Sequence, residues 1–124
     1  MNSIKDTMAQ AMQGMRVQSE RIDITSQNIS NVDTPGYRRK MLVVDGNAEA
    51  FKAMRIQIDQ TEGQREFNPS HPMADGEGYV TMSNVSLVTE MADMREANRT
   101  YEANLNSFQQ ARTMYKSLLD ILRR

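Results

Sequence analysis

Residues 87–122 read LVTEMADMREANRTYEANLNSFQQARTMYKSLLDIL and contain neither Gly nor Pro. Within this stretch an apolar or aromatic residue recurs at every seventh position: Leu87, Met94, Tyr101, Phe108, Tyr115 and Leu122. An unbroken heptad repeat predicts a single helix of about 36 residues, roughly 54 Å long. A chain of 124 residues is too short to bury so long a stripe in a compact core of its own. We therefore expect the stripe to contact partner helices.

The companion positions, four residues after members of the first set, mix apolar and polar side chains: Met91, Asn98, Leu105, Arg112 and Leu119. A polar residue buried in a helical seam fixes register and oligomeric state while lowering stability. Arg112 could instead lie along the seam with its charged end in water. Alternatively, curvature of the helix could turn Asn98 and Arg112 to solvent. The sequence leaves these three interpretations open.

A second heptad stripe predicts an amphipathic helix from Ser3 to Ile29. Its first set is Met8, Met15, Ile22 and Ile29, and its companions are Ile4, Ala11, Gln18 and Thr25. Gly14 lowers helix stability locally, which makes a bend possible there. The helix should end near Asn31, because Thr34 precedes Pro35 and is disfavoured in the helical region. Asn31 and Gly36 are the positions expected to adopt a positive φ.

Short strands are predicted between the two helices, at Tyr37–Val44, Arg55–Asp59, Gln64–Phe67 and Tyr79–Met82. A helical turn is predicted over 48–54, and the Pro- and Gly-rich stretch 68–78 predicts a loop. Ser83 or Asn84 is expected to cap the long helix. The predicted fold is therefore mostly α, with long N- and C-terminal helices pairing as a coiled-coil-like hairpin around a small β-rich insert. The corresponding segments are 1–31, 32–83 and 84–124.

The composition excludes several classes of protein. The 15 Lys and Arg residues balance the 16 Asp and Glu residues, which argues against binding nucleic acid through phosphate contacts. The basic cluster Arg38-Arg39-Lys40 is accordingly interpreted as a solvated strand edge. The absence of Cys excludes disulfides, thiolate catalysis and Cys-ligated zinc. No apolar run is long enough to span a membrane, and the N-terminus lacks the apolar region of a secretory signal.

No arrangement of residues points to catalysis. His71 is the only His, and with Asp75 and Glu77 it could contribute to a metal site. One His with loosely spaced carboxylates does not make a ligand set, so a role in the turn between Pro69 and Pro72 is favoured. Sequence motifs for nucleophilic, phosphate-binding or metalloprotease chemistry are absent. We therefore predict no catalytic residue, no metal site and no cofactor.

Three stretches resemble the bacterial flagellar rod and hook protein family. Residues 26–38, SQNISNVDTPGYR, resemble its N-terminal signature, and residues 90–104 resemble its C-terminal signature. HPMADGEGYV at 71–80, followed by Asn84-Val85, is similar to one branch of the proximal rod proteins, although Ser83 stands where Pro is common. The motif residues are Asn28, Asn31, Thr34, Gly36, Tyr37, His71, Pro72, Gly78, Tyr79, Glu90, Arg99 and Asn104.

The resemblance implies a structural subunit without enzymatic activity. Such subunits polymerise through their terminal helices into the rod that crosses the periplasm. They are exported through the flagellar type III apparatus without a cleaved signal peptide. The implied partners are other copies of the chain, neighbouring rod proteins of the FlgB, FlgF and FlgG types and a FliE-like adaptor. Neither nucleic acid nor a small-molecule substrate is implied.

The predicted subunit interface comprises the two helical stripes. Because little core lies between them, both helices are expected to be marginal in the free subunit and to become stable on assembly. Two alternatives stay open: another rod component of the FlgB type, and a cytosolic coiled-coil adaptor or chaperone. The predicted interface residues are Met8, Met15, Ile22, Ile29, Leu87, Met91, Met94, Asn98, Tyr101, Leu105, Phe108, Arg112, Tyr115, Leu119 and Leu122.

Overall fold

The computed structural model describes residues 2–45 and 54–123. Two long helices enclose four short strands in the order α1 (Asn2–Ser30), β1 (Lys40–Val44), β2 (Met54–Ile58), β3 (Arg65–Phe67), β4 (Tyr79–Thr81) and α2 (Leu87–Arg123). A mostly α chain with a small β-containing insert is confirmed. The helical turn predicted over 48–54 falls largely outside the described residues, and Met54 begins β2.

The two helices pack against each other and run antiparallel. Asn28, near the end of α1, bonds Glu90, near the start of α2. Further along, a Cβ placed on Gly14 would lie 2.6 Å from the side-chain nitrogen of Asn104. The absent side chain of Gly14 therefore allows close approach of the two helices, and α1 continues through this position without interruption. Within the described residues, neither helix is long and apolar enough to cross a membrane.

The shared core of the helices is thin and built largely from small side chains. Among the described residues, the buried apolar positions of the helices are Ala11, Val17, Ile24, Ala97 and Ala111, and the insert contributes Val80 of β4. The larger members of the predicted stripes in α1, Met8, Met15, Ile22 and Ile29, are only half-buried, as are Met94, Tyr101, Phe108 and Tyr115 in α2. The single chain therefore leaves much of its apolar helical surface in contact with solvent.

The seam of α2 is rotated relative to the prediction. The buried positions Glu90, Ala97 and Ala111 lie three residues after members of the first set, not four. Asn98 and Arg112 are consequently exposed within the single chain, which agrees with the interpretation that turns both side chains to solvent. A single antiparallel partner covers only one face of a helix, and the small Ala side chains mark that face because they permit the closest approach.

The insert consists of two antiparallel hairpins. In the first, Leu42 of β1 lies opposite Ile56 of β2; in the second, Glu66 of β3 lies opposite Val80 of β4. All four strands begin or end within a few residues of the predictions. β1 begins at Lys40 and not at Tyr37, because the preceding residues form hydrogen bonds with the helices and with residue 84.

The start of α2 differs from the prediction. Ser86 precedes the first helical residue, and its carbonyl accepts the first intrahelical hydrogen bond from the Glu90 N–H at 3.0 Å. Neither predicted cap, Ser83 nor Asn84, fills this role, because both side chains bond elsewhere. Ser83 Oγ donates to the Val32 carbonyl, which belongs to the turn after α1.

The turn after α1 contains one of the two predicted left-handed positions. Gly36 has a φ of 78°, as expected, and its N–H donates to the Thr81 carbonyl of β4 at 3.0 Å. Asn31 has no positive φ, so that prediction is wrong. Its side-chain Nδ2 instead donates to the Gln27 carbonyl at 2.8 Å and terminates the helix by that contact.

The segment before β3 lies directly against the segment after β4 at Gly63. A Cβ on Gly63 would lie 2.0 Å from the Met82 carbonyl oxygen and 2.6 Å from that of Ser83. Backbone atoms cannot move away as a flexible side chain does. Only Gly therefore fits here without displacement of the strand.

We expect Gly63→Ala to lower the free energy of unfolding by about 1–3 kcal/mol, the usual cost of overpacking. Urea unfolding followed by circular dichroism measures the change. Gly76→Ala is the matched control, because a Cβ there meets no atom within 4 Å. Equal midpoints for the two variants would contradict the close approach at Gly63.

Candidate assembly surface and the polar junction that positions it

A buried amide lies where the two helices meet the insert. Asn28 is 1% exposed. Its Nδ2 donates to the Lys40 carbonyl at 2.9 Å and to Glu90 Oε2 at 3.2 Å. Its Oδ1 accepts from the Lys40 N–H at 3.0 Å and from the Tyr37 hydroxyl at 2.8 Å. Both donors and both acceptor positions of the amide are thereby used.

The two bonds to Lys40 attach β1 to α1. A neighbouring antiparallel strand would donate an N–H to the carbonyl of Lys40 and accept the N–H of Lys40 with its own carbonyl. The side-chain amide of Asn28 makes the same two hydrogen bonds. The amide therefore takes the place of a strand, and it connects the first strand of the insert to the last turns of α1. A side chain of different length, or one that lacks either the N–H donor or the carbonyl acceptor, could not make this pair of hydrogen bonds.

Tyr37, which follows the turn after α1, contributes its hydroxyl group to the hydrogen bonds around Asn28. Burial and, secondarily, the neighbouring Glu90 carboxylate raise the pKa of Tyr37 above its ordinary value. The phenol is therefore protonated at neutral pH and available as the donor to Asn28. The signature residues of α1 and the following turn thus act together on one buried group.

Glu90 and Arg39 form the charged part of the junction. Glu90 is 1% exposed, and its second oxygen accepts from Arg39 Nε. The Arg39 guanidinium also bonds Asp93 Oδ2 at 3.1 Å, one turn further along α2. Arg39 is therefore not part of a solvated strand edge, as the sequence had suggested, but the partner of a buried carboxylate. A buried carboxylate without such a partner is strongly destabilising.

Asn84 joins the first hairpin to the start of α2. Its Oδ1 accepts from the Arg39 N–H at 2.6 Å, and its Nδ2 donates to the carbonyls of Asp59 and Thr61 at 3.1 and 2.7 Å. These bonds hold both strand ends of the first hairpin beside α2. We refer to Asn28, Tyr37, Arg39, Asn84 and Glu90 as the polar junction.

Sequence reasoning identified part of the polar junction. Asn28, Tyr37 and Glu90 were among the predicted motif residues, whereas Arg39 and Asn84 were not given this role. Both belonged to quoted stretches, the basic cluster and the Asn84-Val85 pair, but nothing local in the sequence shows which distant groups they contact. Arg99 is exposed and lies outside the junction, and Asn104 lies against Gly14.

The motif residues His71, Pro72, Gly78 and Tyr79 lie in the second hairpin. His71 Nδ1 accepts from the Met73 N–H at 3.0 Å, a contact within the turn. Asp75 accepts from the N–H groups of Tyr79 and Glu77 at 3.0 and 2.9 Å. The pKa of Asp75 is lowered mainly by the hydrogen bond from the Tyr79 N–H. The hydrogen bonds from the Glu77 N–H and the Arg65 side chain lower it further. These contacts order the loop, and no metal-binding group of three His, Asp or Glu residues occurs within residues 2–45 and 54–123.

The predicted interface residues fall into two groups. Most are half-buried along the contact between the helices, whereas Leu87, Met91, Asn98, Arg112 and Leu122 are exposed. Of the exposed group, Leu87, Met91, Asn98 and Arg112 lie on one side of α2, whereas Leu122 lies farther around the helix at its end. Contact of either group with neighbouring subunits stays a prediction.

We expect Asn28→Ala to lower the free energy of unfolding by about 2–4 kcal/mol, because it leaves buried partners without hydrogen bonds. Thermal unfolding by circular dichroism measures the loss. Asn98→Ala, which removes an exposed Asn from a helix, is the matched control and should leave the midpoint within error. Similar midpoints for Asn28→Ala and the unmodified chain would contradict the role of the junction.

Two family models match the two ends of the chain that the polar junction connects. The family model described as "Flagella basal body rod protein" matches residues 8–38, and that described as "Flagellar basal body rod FlgEFG protein C-terminal" matches residues 77–121. The two matched ranges contain four of the five residues of the polar junction. The fifth, Arg39, is the residue directly after the first range.

Similar whole proteins are flagellar basal-body rod proteins FlgC. That of Agrobacterium fabrum is 41% identical over 89% of this chain and 88% of its own length. That of Borreliella burgdorferi is 31% identical over 90% and 93%, and that of Bacillus subtilis is 29% identical over 91% and 92%. With such identity over nearly the full length, this chain belongs to the FlgC family of flagellar basal-body rod proteins.

Proposed function

We propose that this protein is a structural subunit of the flagellar basal body that polymerises through its terminal helices into the proximal rod. The observation that carries the proposal is a helix pair whose own core is thin while apolar side chains remain in solvent. Family membership supports the same conclusion. On this proposal the rod-core segments are 1–31 and 84–124, and residues 32–83 form the insert.

The exposed apolar surface of α2 supports association with other helices. Leu87, Val88 and Met91 are all exposed within about one turn at the start of α2, and Val88 is 80% exposed. Met114 and Ile121 are exposed separately, nearer the other end of the helix. Exposed apolar patches on a folded chain mark surfaces that bind other proteins. Met is well suited to such surfaces, because its flexible side chain adapts to non-equivalent neighbours.

We propose that the helix ends farthest from the polar junction become fully stable only on assembly. Near the junction, Ile24, Thr25, Asn28 and Glu90 are buried. Towards the opposite end the buried side chains are reduced to small residues such as Ala11 and Ala111. Burial of apolar area by neighbours in a coiled-coil-like seam would supply the missing stabilisation.

The partners proposed for this surface are other copies of the chain and neighbouring rod proteins of the FlgB, FlgF and FlgG types, with a FliE-like adaptor at the base. The proposed location is the periplasmic part of the basal body, reached through the flagellar type III export apparatus without a cleaved signal. The proposed role is structural and without enzymatic activity, which membership of a rod-protein family supports.

The alternatives make different predictions. A FlgB-type rod component would occupy a different position in the same rod, and the similarity to FlgC proteins over most of the chain favours the FlgC position. A cytosolic coiled-coil adaptor would form a soluble oligomer and would not be exported.

Complementation of a deletion strain tests the proposal. Isolated basal bodies from the deletion strain should lack a complete rod by electron microscopy, and the unmodified chain should restore rod and swimming. Met91→Glu should fail to restore either, because it places a charge on the exposed apolar side of α2. The purified variant should melt like the unmodified protein.

Thr113→Glu is the matched control, since Thr113 is also exposed on α2 but lies outside the predicted stripe. It should restore swimming. A complete rod in the deletion strain would overturn the proposed function, and full swimming with Met91→Glu would overturn the assignment of this surface.

A further inference from the structure

β2 is the outer strand of the first hairpin. It pairs with β1 alone, and each of its residues from Arg55 to Ile58 is exposed. An unpaired strand edge offers N–H and carbonyl groups to another strand, and proteins commonly protect such edges with Pro, Lys or a bulge. β2 has the sequence MRIQI, contains neither Pro nor Lys and pairs with β1 in regular register. Its outer edge is therefore open to a further strand.

A hydrogen bond at the end of β2 shows which backbone groups this edge presents. The Asp59 N–H donates to the carbonyl of Arg39, the residue opposite it, at 2.8 Å. In an antiparallel pair, the backbone groups of successive residues point alternately towards the partner strand and away from it. Ile58 and Ile56 therefore direct their N–H and carbonyl groups away from β1. Within residues 2–45 and 54–123, no other group bonds to them.

The chain itself covers the corresponding edges of β1 and β4. In β1, the side chain of Asn28 binds the N–H and the carbonyl of Lys40. In β4, the Thr81 carbonyl accepts from the Gly36 N–H at 3.0 Å. β3 has only three residues, whereas β2 has five. The edge of β2 is thus the place in the insert where a further strand finds the longest row of available groups.

The sequence of β2 is complementary to a second, antiparallel copy of itself. When Gln57 lies opposite its own counterpart, Ile56 lies opposite Ile58 of the partner subunit, and their outward backbone groups face each other. On the other face of the sheet, Arg55 lies opposite Asp59 of the partner subunit, and opposite charges on facing residues stabilise a strand pair. A shift of the register by two residues in either direction removes this pairing of charges. Charge and hydrogen bonding therefore select the same register.

We propose that two copies of this chain associate through the outer edges of their β2 strands. The two hairpins then form one antiparallel sheet in the order β1-β2-β2-β1, in which Ile56 and Ile58 exchange backbone hydrogen bonds between the copies. An isolated hairpin of two strands is marginally stable and gains stability from further strands. Ile56 and Ile58, which are 50% and 39% exposed in the single chain, also gain apolar neighbours across the contact.

This contact goes beyond the proposed function. A two-fold contact uses the same patch on both copies and closes into a pair, whereas a filament grows through contacts between different patches. The β2 pair is therefore a state of the free subunit, separate from the contacts of the terminal helices that are proposed for the rod.

Disulfide trapping of the purified full chain tests the register. The chain has no Cys, and Gln57→Cys places one thiol on each side of the two-fold axis. Opposite residues without mutual hydrogen bonds have Cα atoms about 4.5 Å apart, which is within the range of a disulfide. Mild oxidation should therefore convert Gln57→Cys into a covalent dimer.

Ile56→Cys is the matched control on the neighbouring residue. In the proposed register its two Cα atoms lie about 8 Å apart, beyond the range of a disulfide, so this variant should remain without a covalent link. Cross-linking of Ile56→Cys at least as fast as that of Gln57→Cys would overturn the proposed pairing.

Sedimentation of the purified chain tests whether the strand edges carry the contact. The unmodified chain should form dimers as its concentration rises. Ile56→Pro removes an N–H that does not bond to β1, so the hairpin should persist while dimerisation weakens roughly tenfold or more. Ile56→Val keeps both the N–H and a β-branched side chain and should dimerise like the unmodified chain.

A chain that stays monomeric at every concentration would overturn the proposal, as would dimerisation of Ile56→Pro that equals that of the unmodified chain. Circular dichroism of Ile56→Pro should show the helical content of the unmodified chain. Because these measurements use the free subunit, their failure leaves the proposed function intact, which the deletion strain tests separately.

Discussion

The structure depends on one buried amide. Asn28 completes the edge of β1 through Lys40, accepts the Tyr37 hydroxyl and donates to Glu90, so a single side chain connects both helices, the turn and the insert. Glu90 in turn requires Arg39, because a buried carboxylate without a cation is costly. The geometry of the helix pair and the position of the insert are therefore set by the same few hydrogen bonds.

A polar junction of this kind favours a specific arrangement over maximal stability. Buried polar groups are tolerated only when every donor and acceptor has a partner, so they allow few alternative registers. Elsewhere the closest contact between the helices is made by small side chains and Gly14, and the larger apolar side chains beside it are only half-buried. A subunit built in this way has a defined shape at the junction and an adaptable helical surface for assembly.

The sequence predicted the elements better than their contacts. Heptad spacing located both helices, and the Pro35-Gly36 turn located the end of the first, because these signals act within a few residues. The cap at Ser83 or Asn84 and the solvated Arg39 were wrong, and the environment of Asn98 and Arg112 was left open, because each depends on what lies opposite in the fold. Heptad spacing alone does not show which side of the stripe one partner will cover, and a small residue such as Ala97 gives little apolar signal although it lies at the closest contact.

A double-mutant cycle between Asn28 and Glu90 tests the central claim most directly. The unfolding free energies of Asn28→Ala, Glu90→Ala and the double variant are compared with that of the unmodified chain. If the two residues act as one unit, the double variant will lose less stability than the sum of the single losses, with a coupling energy of about 1 kcal/mol or more. Simple additivity of the two losses would contradict the account.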